Sequence, residues 1–441
     1  MMVAKLRRLI VPGALMAAAL TLGLGPAQAD EPNAKPPNVV MIISDDHAWT
    51  DYGFMGHPYV RTPNLDRLAG ESLTFSRGYV PSSLCCPSLA SIITGLFPHQ
   101  NKITSNDPPV PEGMTNAQFY RSSFFNEGRE VMNRHMEAVP TLPRMLAERD
   151  YLSLQTGKWW QGHYSRGGFT HGMTQGQRHG DDGLVIGRET MEPIESFLAE
   201  AKEQDRPFFV WYAPFLPHSP HNPPERFLQR YTNIAPSPSI ARYWAMIEWF
   251  DETCGTLLDL IDEEGLAEDT IVLYVTDNGW TQDPEGPGFI RSKRSPYDTG
   301  LRTPIMVRWP GRVEPRCSHE LASSVDLAPT ILKAVGLEPT EAMPGINLLD
   351  SEAVGRRQTI FGSNYEHNAI DLEEPAANLR ERWVIDGSWK LIVPTDLSDL
   401  DGPELYQLDA DPAELRNLAD GQTDRVGQMM ETLNGWWTPQ P

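Results

Sequence analysis

Four oxygen-bearing side chains occur in two adjacent pairs far apart in the chain, Asp45-Asp46 and Asp277-Asn278. Each pair closely follows an apolar run, Val39-Val40-Met41-Ile42-Ile43 in one case and Ile271-Val272-Leu273-Tyr274-Val275 in the other. Oxygen donors without histidine or cysteine suit a hard divalent cation, calcium or magnesium, rather than zinc. A second candidate is Cys85, in Leu84-Cys85-Cys86-Pro87-Ser88-Leu89-Ala90-Ser91-Ile92-Ile93-Thr94-Gly95. Pro87 suits the first turn of a helix and Gly95 the residue after its last. Cys85 would then lie at the helix N-terminus, where free N–H groups favour an anion. Such a cysteine is either a packed, inert thiol or an activated thiolate. A disulfide to its neighbour Cys86 would be strained.

Two lysines and a histidine complete the set. Lys158 stands in Thr156-Gly157-Lys158-Trp159, and Lys293 shortly precedes Tyr297-Asp298-Thr299-Gly300-Leu301-Arg302. His218 follows the apolar run Phe208-Phe209-Val210-Trp211-Tyr212, in Pro217-His218-Ser219-Pro220. Each alone is more often a solvated lysine or a structural histidine. His171, His179 and His221 share the flanking segments with Arg166 and Arg178, without the regular spacing of a histidine metal cluster. They read as a substrate-facing loop, or merely a polar one.

The elements that must position these groups follow from the pattern. The three apolar runs read as buried parallel strands, and helical patterns lie between them at about 141–149, 189–204 and 239–264. Strands alternating with helices predict an α/β sandwich around a mainly parallel sheet, which binds ligands beyond the carboxyl ends of its strands. Residues 104–140 and 161–183, rich in Gly, Asn, Arg and His, read as long loops over the site. After about residue 340 the pattern changes. Trp383-Val384-Ile385, Asp386-Gly387 and Trp389 to Val393 predict a hairpin, and residues 423–437 a last helix, giving a small antiparallel C-terminal subdomain. Cys254, inside the longest helical pattern, reads as a buried small apolar residue.

Bulk properties narrow the class. The 441 residues are 40% hydrophobic and 22% charged, values of a folded globular protein. Lys5, Arg7 and Arg8, the apolar stretch Leu9 to Leu24 and Ala27-Gln28-Ala29 predict an export signal over residues 1–29, hence a secreted or periplasmic protein. No later stretch is long and apolar enough to span a membrane. Removing the signal moves the net charge from −22 to −25, which excludes nucleic acid as an electrostatic partner. An anionic substrate would be repelled by that field, so its site requires convergent cations.

Together these segments resemble the sulfatase family, whose nucleophile segment reads Cys-x-Pro-x-Arg and ends in Leu/Thr/Gly. The likeness runs from about Pro37 to Leu418. It includes Pro37-Asn38, Asp45-Asp46, Thr62-Pro63-Asn64-Leu65-Asp66-Arg67-Leu68-Ala69, Thr156-Gly157-Lys158-Trp159 and Pro217-His218-Ser219-Pro220. Asp277-Asn278-Gly279, Tyr297 to Pro304, Asp326-Leu327-Ala328-Pro329-Thr330 and Glu404-Leu405-Tyr406-Gln407-Leu408 follow in order. Proline at plus two selects Cys85 for oxidation to formylglycine by a formylglycine-generating enzyme. The resemblance implies an alkaline phosphatase-like fold, with residues 37–340 as the catalytic domain and 341–441 as the C-terminal subdomain. It implies calcium held by Asp45, Asp46, Asp277, Asn278 and an oxygen of modified Cys85. Lys158 and Lys293 would contact sulfate oxygens, and His218 would protonate the leaving oxygen.

Two positions depart from the family. Leu89 stands where its arginine would be, and Trp160 where its proton-accepting histidine would be. His163 or His47 is the substitute for the latter. The implied reaction is hydrolysis of a sulfate ester or sulfamate on a small molecule or a carbohydrate. The rivals are a phosphodiester or phosphonate monoester hydrolase of the same superfamily, and a non-catalytic binder of sulfated ligands.

Overall fold

In the computed structural model residues 35–439 are described. The export signal predicted at residues 1–29 lies outside them. An eight-stranded sheet has the order β4-β3-β5-β1-β6-β7-β2-β8. Its strands are β1 (Asn38–Ser44), β2 (Leu73–Tyr79), β3 (Leu152–Gly157), β4 (His171–Gly172), β5 (Phe208–Ala213), β6 (Thr270–Thr276), β7 (Arg302–Arg308) and β8 (Arg316–Ser323). Strands β1, β3, β5 and β6 are buried along their whole length, because helices cover both faces of a parallel sheet. This is why β1, β5 and β6 read as continuous apolar runs rather than alternating ones.

Direction matters more than order. Strands β3, β5, β1 and β6 run parallel, so their carboxyl ends share one edge. Strand β7 is antiparallel to both β6 and β2. The residues after β2 and those before β7 therefore reach that same edge. One reversed strand thus lets Cys85 and Lys293 join residues that follow four parallel strands.

A second, four-stranded antiparallel sheet has the order β12-β11-β10-β9, from β9 (Thr359–Tyr365), β10 (Leu379–Asp386), β11 (Trp389–Pro394) and β12 (Glu404–Gln407). The predicted hairpin is β10–β11, closed by Gly387-Ser388 with Gly387 at φ 57°. The helix Thr423–Trp436 packs Met429 and Leu433 against Val384, Leu391 and Leu405. Trp383, Ile385 and Ile392 also belong to the apolar core that holds Val39, Phe75 and Leu273, so the two sheets share a core.

Residues 104–140 are not one long loop. A helix spans Ser123–Glu137, started by Ser122, whose side chain accepts the Phe125 N–H. Its buried positions Phe125, Arg129, Met132, Asn133 and Met136 keep helical spacing, but two are polar, which hid the stripe. Residues 161–183 are irregular as expected, with two 3-10 segments and the two-residue β4. Cys254 is buried in the helix Pro238–Glu263, and all four cysteines are free thiols.

Candidate active site

The helix Cys85–Thr94 begins and ends where Pro87 and Gly95 predicted, with Gly95 at φ 67°. The Cys86 N–H donates to Asn106 Oδ1 at 2.9 Å, which occupies part of the helix N-terminus. The preceding turn is held by the second sheet: Asn364 Oδ1 on β9 accepts both the N–H and the hydroxyl of Ser83. Cys85 is buried, and its thiol donates to Asn278 Oδ1 at 3.1 Å. Burial pushes that thiol up to about 12 against the pull of Lys158 and Lys293, so it is protonated at neutral pH. Of the two readings of this cysteine, the packed thiol is the one its burial favours.

Around Cys85 the strand ends assemble the predicted donors. Ser44 pairs with Thr276 in the β1–β6 register, which brings Asp45-Asp46 beside Asp277-Asn278. Asp46 adopts a left-handed backbone, φ 57°, and its N–H donates to Asp277 Oδ1 at 3.2 Å. Asn278 Nδ2 donates to Asp46 Oδ1 at 2.7 Å. Lys158, directly after β3, donates to Asp45 Oδ2 at 2.6 Å and Asp277 Oδ2 at 3.1 Å. Lys293 donates to Asp46 Oδ1 at 2.6 Å. His218 Nε2 lies 3.4 Å from Asp46 Oδ2. Its Nδ1 is 2.5 Å from the Ser219 carbonyl; a carbonyl only accepts, so Nδ1 carries the hydrogen and the neutral ring leaves Nε2 bare.

These residues fit a hard divalent cation. Asp45 Oδ1 and Asp46 Oδ2 are buried carboxylate oxygens with no hydrogen-bond partner. Unpaired buried carboxylate oxygens are costly, and a cation is the partner that removes the cost. Ligand atoms of Asp45, Asp46, Cys85 and His218 all lie within 4.8 Å of one another. Three carboxylates face two lysines, so negative charge remains. Burial raises Asp45 against the pull of Lys158, with the Asp46 charge adding to the shift, and burial followed by the Asp45 charge raises Asp277 to about 7. Burial also opposes ionisation of Asp46, but the nearby Lys293, His218 and Lys158 charges together hold it well below the usual range. Burial lowers His218 to about 3, with Asp46 opposing and Lys293 and Lys158 adding to the shift.

The two predicted substitutes for the missing histidine do not join this cluster. His163 Nδ1 is bonded to Ser165 Oγ at 2.8 Å and its ring lies against Tyr164, so it caps its own turn. His47 is fully buried, with Nδ1 on Ser44 Oγ at 2.9 Å and Nε2 on the Asp51 carbonyl at 3.1 Å. Both of its nitrogens are occupied by structural partners. Trp160 is buried, with Arg129 and Arg178 over its ring at 5.5 and 4.9 Å. Leu89 is packed in the apolar core. The ring of His179 stands edge-on to Trp160, centroids 4.5 Å apart. Sequence reasoning left it in a flanking loop, since nothing in its spacing from Lys158 indicated an approach.

The model of the family described as Sulfatase matches residues 37–337. The chain belongs to the sulfatase family. A second family, described as N-sulphoglucosamine sulphohydrolase, C-terminal, matches residues 288–435 of this sulfatase. Human arylsulfatase A is 29% identical over 91% of this chain and 87% of its own length. Human N-acetylgalactosamine-6-sulfatase is 30% identical over 76% of this chain and 68% of its own. Among solved structures, one in complex with its substrate D-glucosamine-2-N,6-O-disulfate has a TM-score of 0.70 at 20% identity, covering 91% of this chain and 97% of that one. The phosphonate monoester hydrolase of Agrobacterium radiobacter has a TM-score of 0.66 at 18% identity, covering 90% and 95%. The predicted alkaline phosphatase-like fold holds. This protein is a sulfatase, a hydrolase of sulfate esters.

Proposed function

We propose that this sulfatase is an exported, cation-dependent enzyme that releases sulfate from a sulfated carbohydrate through a formylglycine made from Cys85. The supporting observation is the convergence of Cys85, three carboxylates, Asn278, two lysines and His218 from separate segments at one sheet edge. Calcium, or magnesium, would be held by Asp45, Asp46, Asp277, Asn278 and residue 85, and would polarise the sulfuryl oxygens. A formylglycine hydrate supplies a nucleophilic oxygen and a second hydroxyl whose collapse expels sulfate without attack of water on sulfur.

The remaining roles belong to this chain's own side chains. Lys158 and Lys293 bind the sulfuryl oxygens and supply the positive charge that a chain of net charge −22 otherwise denies an anionic ester. His218 presents a bare Nε2 beside Asp46, and it gives a proton to the leaving oxygen only after taking one up there to become the imidazolium. The ester's own charge offsets the two lysines that disfavour the imidazolium, so proton affinity at His218 rises as substrate binds. Cys85 needs conversion for any of this, since its buried thiol is not ionised.

A carbohydrate substrate is supported by two relatives that act on sugars, N-acetylgalactosamine-6-sulfatase and the structure bound to a disulfated glucosamine. The test is to express the chain with a formylglycine-generating enzyme and compare matched aryl sulfate, sulfated N-acetylhexosamine and phosphonate monoester substrates. Sulfate release from the sugar, with residue 85 detected as formylglycine by peptide mass spectrometry, is expected. A dominant phosphonate or phosphodiester rate would overturn the reading in favour of the superfamily's other esterases. Binding of sulfated sugars with an unmodified thiol throughout would favour a non-catalytic binder.

A further inference from the structure

Two of the buried positions along the helix Ser123–Glu137 are polar, Arg129 and Asn133, and they are only 9% and 8% exposed. Nothing in the catalytic cluster accounts for them. Both line a cleft of about 520 Å³, together with Tyr120, Phe125, Gln177 and Arg178. That volume is usual for a small-molecule site.

The cleft and the cluster share a wall. Trp160, two residues after Lys158, faces both guanidiniums, 5.5 Å from that of Arg129 and 4.9 Å from that of Arg178. Arg129 Nη1 donates to the Asn106 carbonyl at 3.0 Å, and Asn106 Oδ1 accepts the Cys86 N–H at 2.9 Å. A single residue therefore ties Arg129 to the start of the helix that carries Cys85. This closeness makes the cleft a place for another part of the same substrate.

The two arginines differ in how their charge is balanced. Arg178 is matched by the buried Asp107, which accepts from its Nε and Nη2 at 2.9 and 2.8 Å. Glu130 is matched by Arg166 at 3.0 Å. Arg129 forms no ion pair among the described residues; its Nη1 meets the Asn106 carbonyl and the Met132 sulfur. Burial raises the neighbouring Cys86 thiol to about 11 against the pull of Arg129, so it stays neutral and supplies no counter-charge. Arginine keeps its charge throughout the working pH range, and a buried charge without a counter-charge is costly. With 59 acidic residues to 37 basic ones, the chain does not lack carboxylates to offer it. The partner that fits is external and anionic.

We propose that this cleft is a subsite for a second anionic group of the substrate, a carboxylate or a further sulfate on a sugar, and that Arg129 selects it. The proposal rests on the sulfatase reading above and narrows its substrate to a sugar bearing at least two negative groups. Tyr120 is 39% exposed, and its hydroxyl donates to Asp107 Oδ2 at 3.2 Å. Its ring is thereby fixed as a wall for the apolar face of the sugar.

Three probes test this: an N-acetylhexosamine monosulfate, the same sugar with a second sulfate, and the monosulfated sugar linked to a uronic acid. The readout is the ratio of kcat/KM for each two-anion sugar to that for the monosulfate. The same ratio is measured for binding, by calorimetry on the full chain with Cys85 unconverted. The wild type is expected to prefer at least one two-anion sugar by about tenfold to a hundredfold, the worth of a hydrogen bond to a charged group. Preference for the disulfate identifies a sulfate, and preference for the uronate a carboxylate. Arg129→Met, which keeps the packing stem, should bring the ratio near one, whereas Arg129→Lys should retain part of it. Asn126→Asp, at an exposed position lining the cleft, should lower the ratio several-fold by repulsion. A wild-type ratio near one overturns the proposal, as does a ratio that survives Arg129→Met. Where Arg129→Met fails to fold, an unchanged ratio in Asn126→Asp overturns it instead. Failure of the wild type to release sulfate from any ester refutes the sulfatase reading alone, since the calorimetric ratio still decides on the cleft.

Discussion

The Lys158 ammonium and the Asp45 carboxylate meet at 2.6 Å although the residues are 113 positions apart, and their side chains are only 1% and 3% exposed. Taking both charges out of water carries a desolvation cost that only a close, well-bonded pair repays. The pair is therefore fragile towards loss of one member. Lys158→Met is expected to destabilise the fold by about 3–5 kcal/mol, the usual cost of stranding a buried charge. Urea unfolding measures this. The same variant should lose sulfate release even where it remains folded, because Lys158 also faces Asp277 across the cluster.

Cation removal should register as stability before it registers as rate. Asp45 Oδ1 and Asp46 Oδ2 have no hydrogen-bond partner, so a bound divalent ion stabilises the folded state by mass action. At a free concentration one hundred times its dissociation constant the gain is about 2.7 kcal/mol. Chelation should lower the melting temperature, and calcium should restore it. Magnesium, which demands tighter octahedral geometry, should restore it less. A melting temperature indifferent to both ions would refute a metal centre here.

The adjacent cysteines are predicted to behave differently. Cys85 bonds to Asn278 inside the cluster, whereas Cys86 Sγ accepts from Gln161 Nε2 at 3.1 Å, away from the carboxylates. Cys85→Ser should cut sulfate release on the order of 10³-fold or more, since a serine has no second hydroxyl with which to expel sulfate. Cys86→Ala should retain activity and cost about 1 kcal/mol of stability from lost packing. Equal loss in both variants would show that the helix start as a whole, and not Cys85, is what matters.

A pH dependence of stability should come from Asp251, remote from the cation site. This buried carboxylate accepts the N–H groups of Asn64 and Leu65 at the start of the helix Pro63–Gly70, as well as Asn64 Nδ2. Burial nevertheless raises it to about 7, against those hydrogen bonds. With its folded value raised, its contribution is fully present below the unfolded value near 4 and is lost as pH rises through about 7. The loss is on the order of 2–4 kcal/mol. Asp251→Asn cannot titrate, so its urea midpoint should vary less between pH 5 and pH 8 than that of the wild type.

Local chemistry made much of this protein legible without coordinates. Parallel strands buried on both faces must be apolar throughout, so β1, β5 and β6 were visible as runs, and the donors at β1 and β6 were visible as what ends those runs. Pro87 and Gly95 marked a helix by backbone geometry alone, and Cys85 fell at its start. Hairpin β10–β11 followed from its turn.

Tertiary structure decided what depends on distance. His163 lies only five residues from Lys158 yet binds within its own turn, whereas His179, farther along the chain, reaches Trp160 because Gly180 lets the backbone touch the end of β3. The charge of Cys85 depends on burial that defeats the helix terminus. The sequence by itself therefore determined which elements form and which side chains stand at their ends, because those obey period and backbone preference. Only the fold decided which of these groups meet, since desolvation and hydrogen bonding are set by neighbours that chain order does not encode.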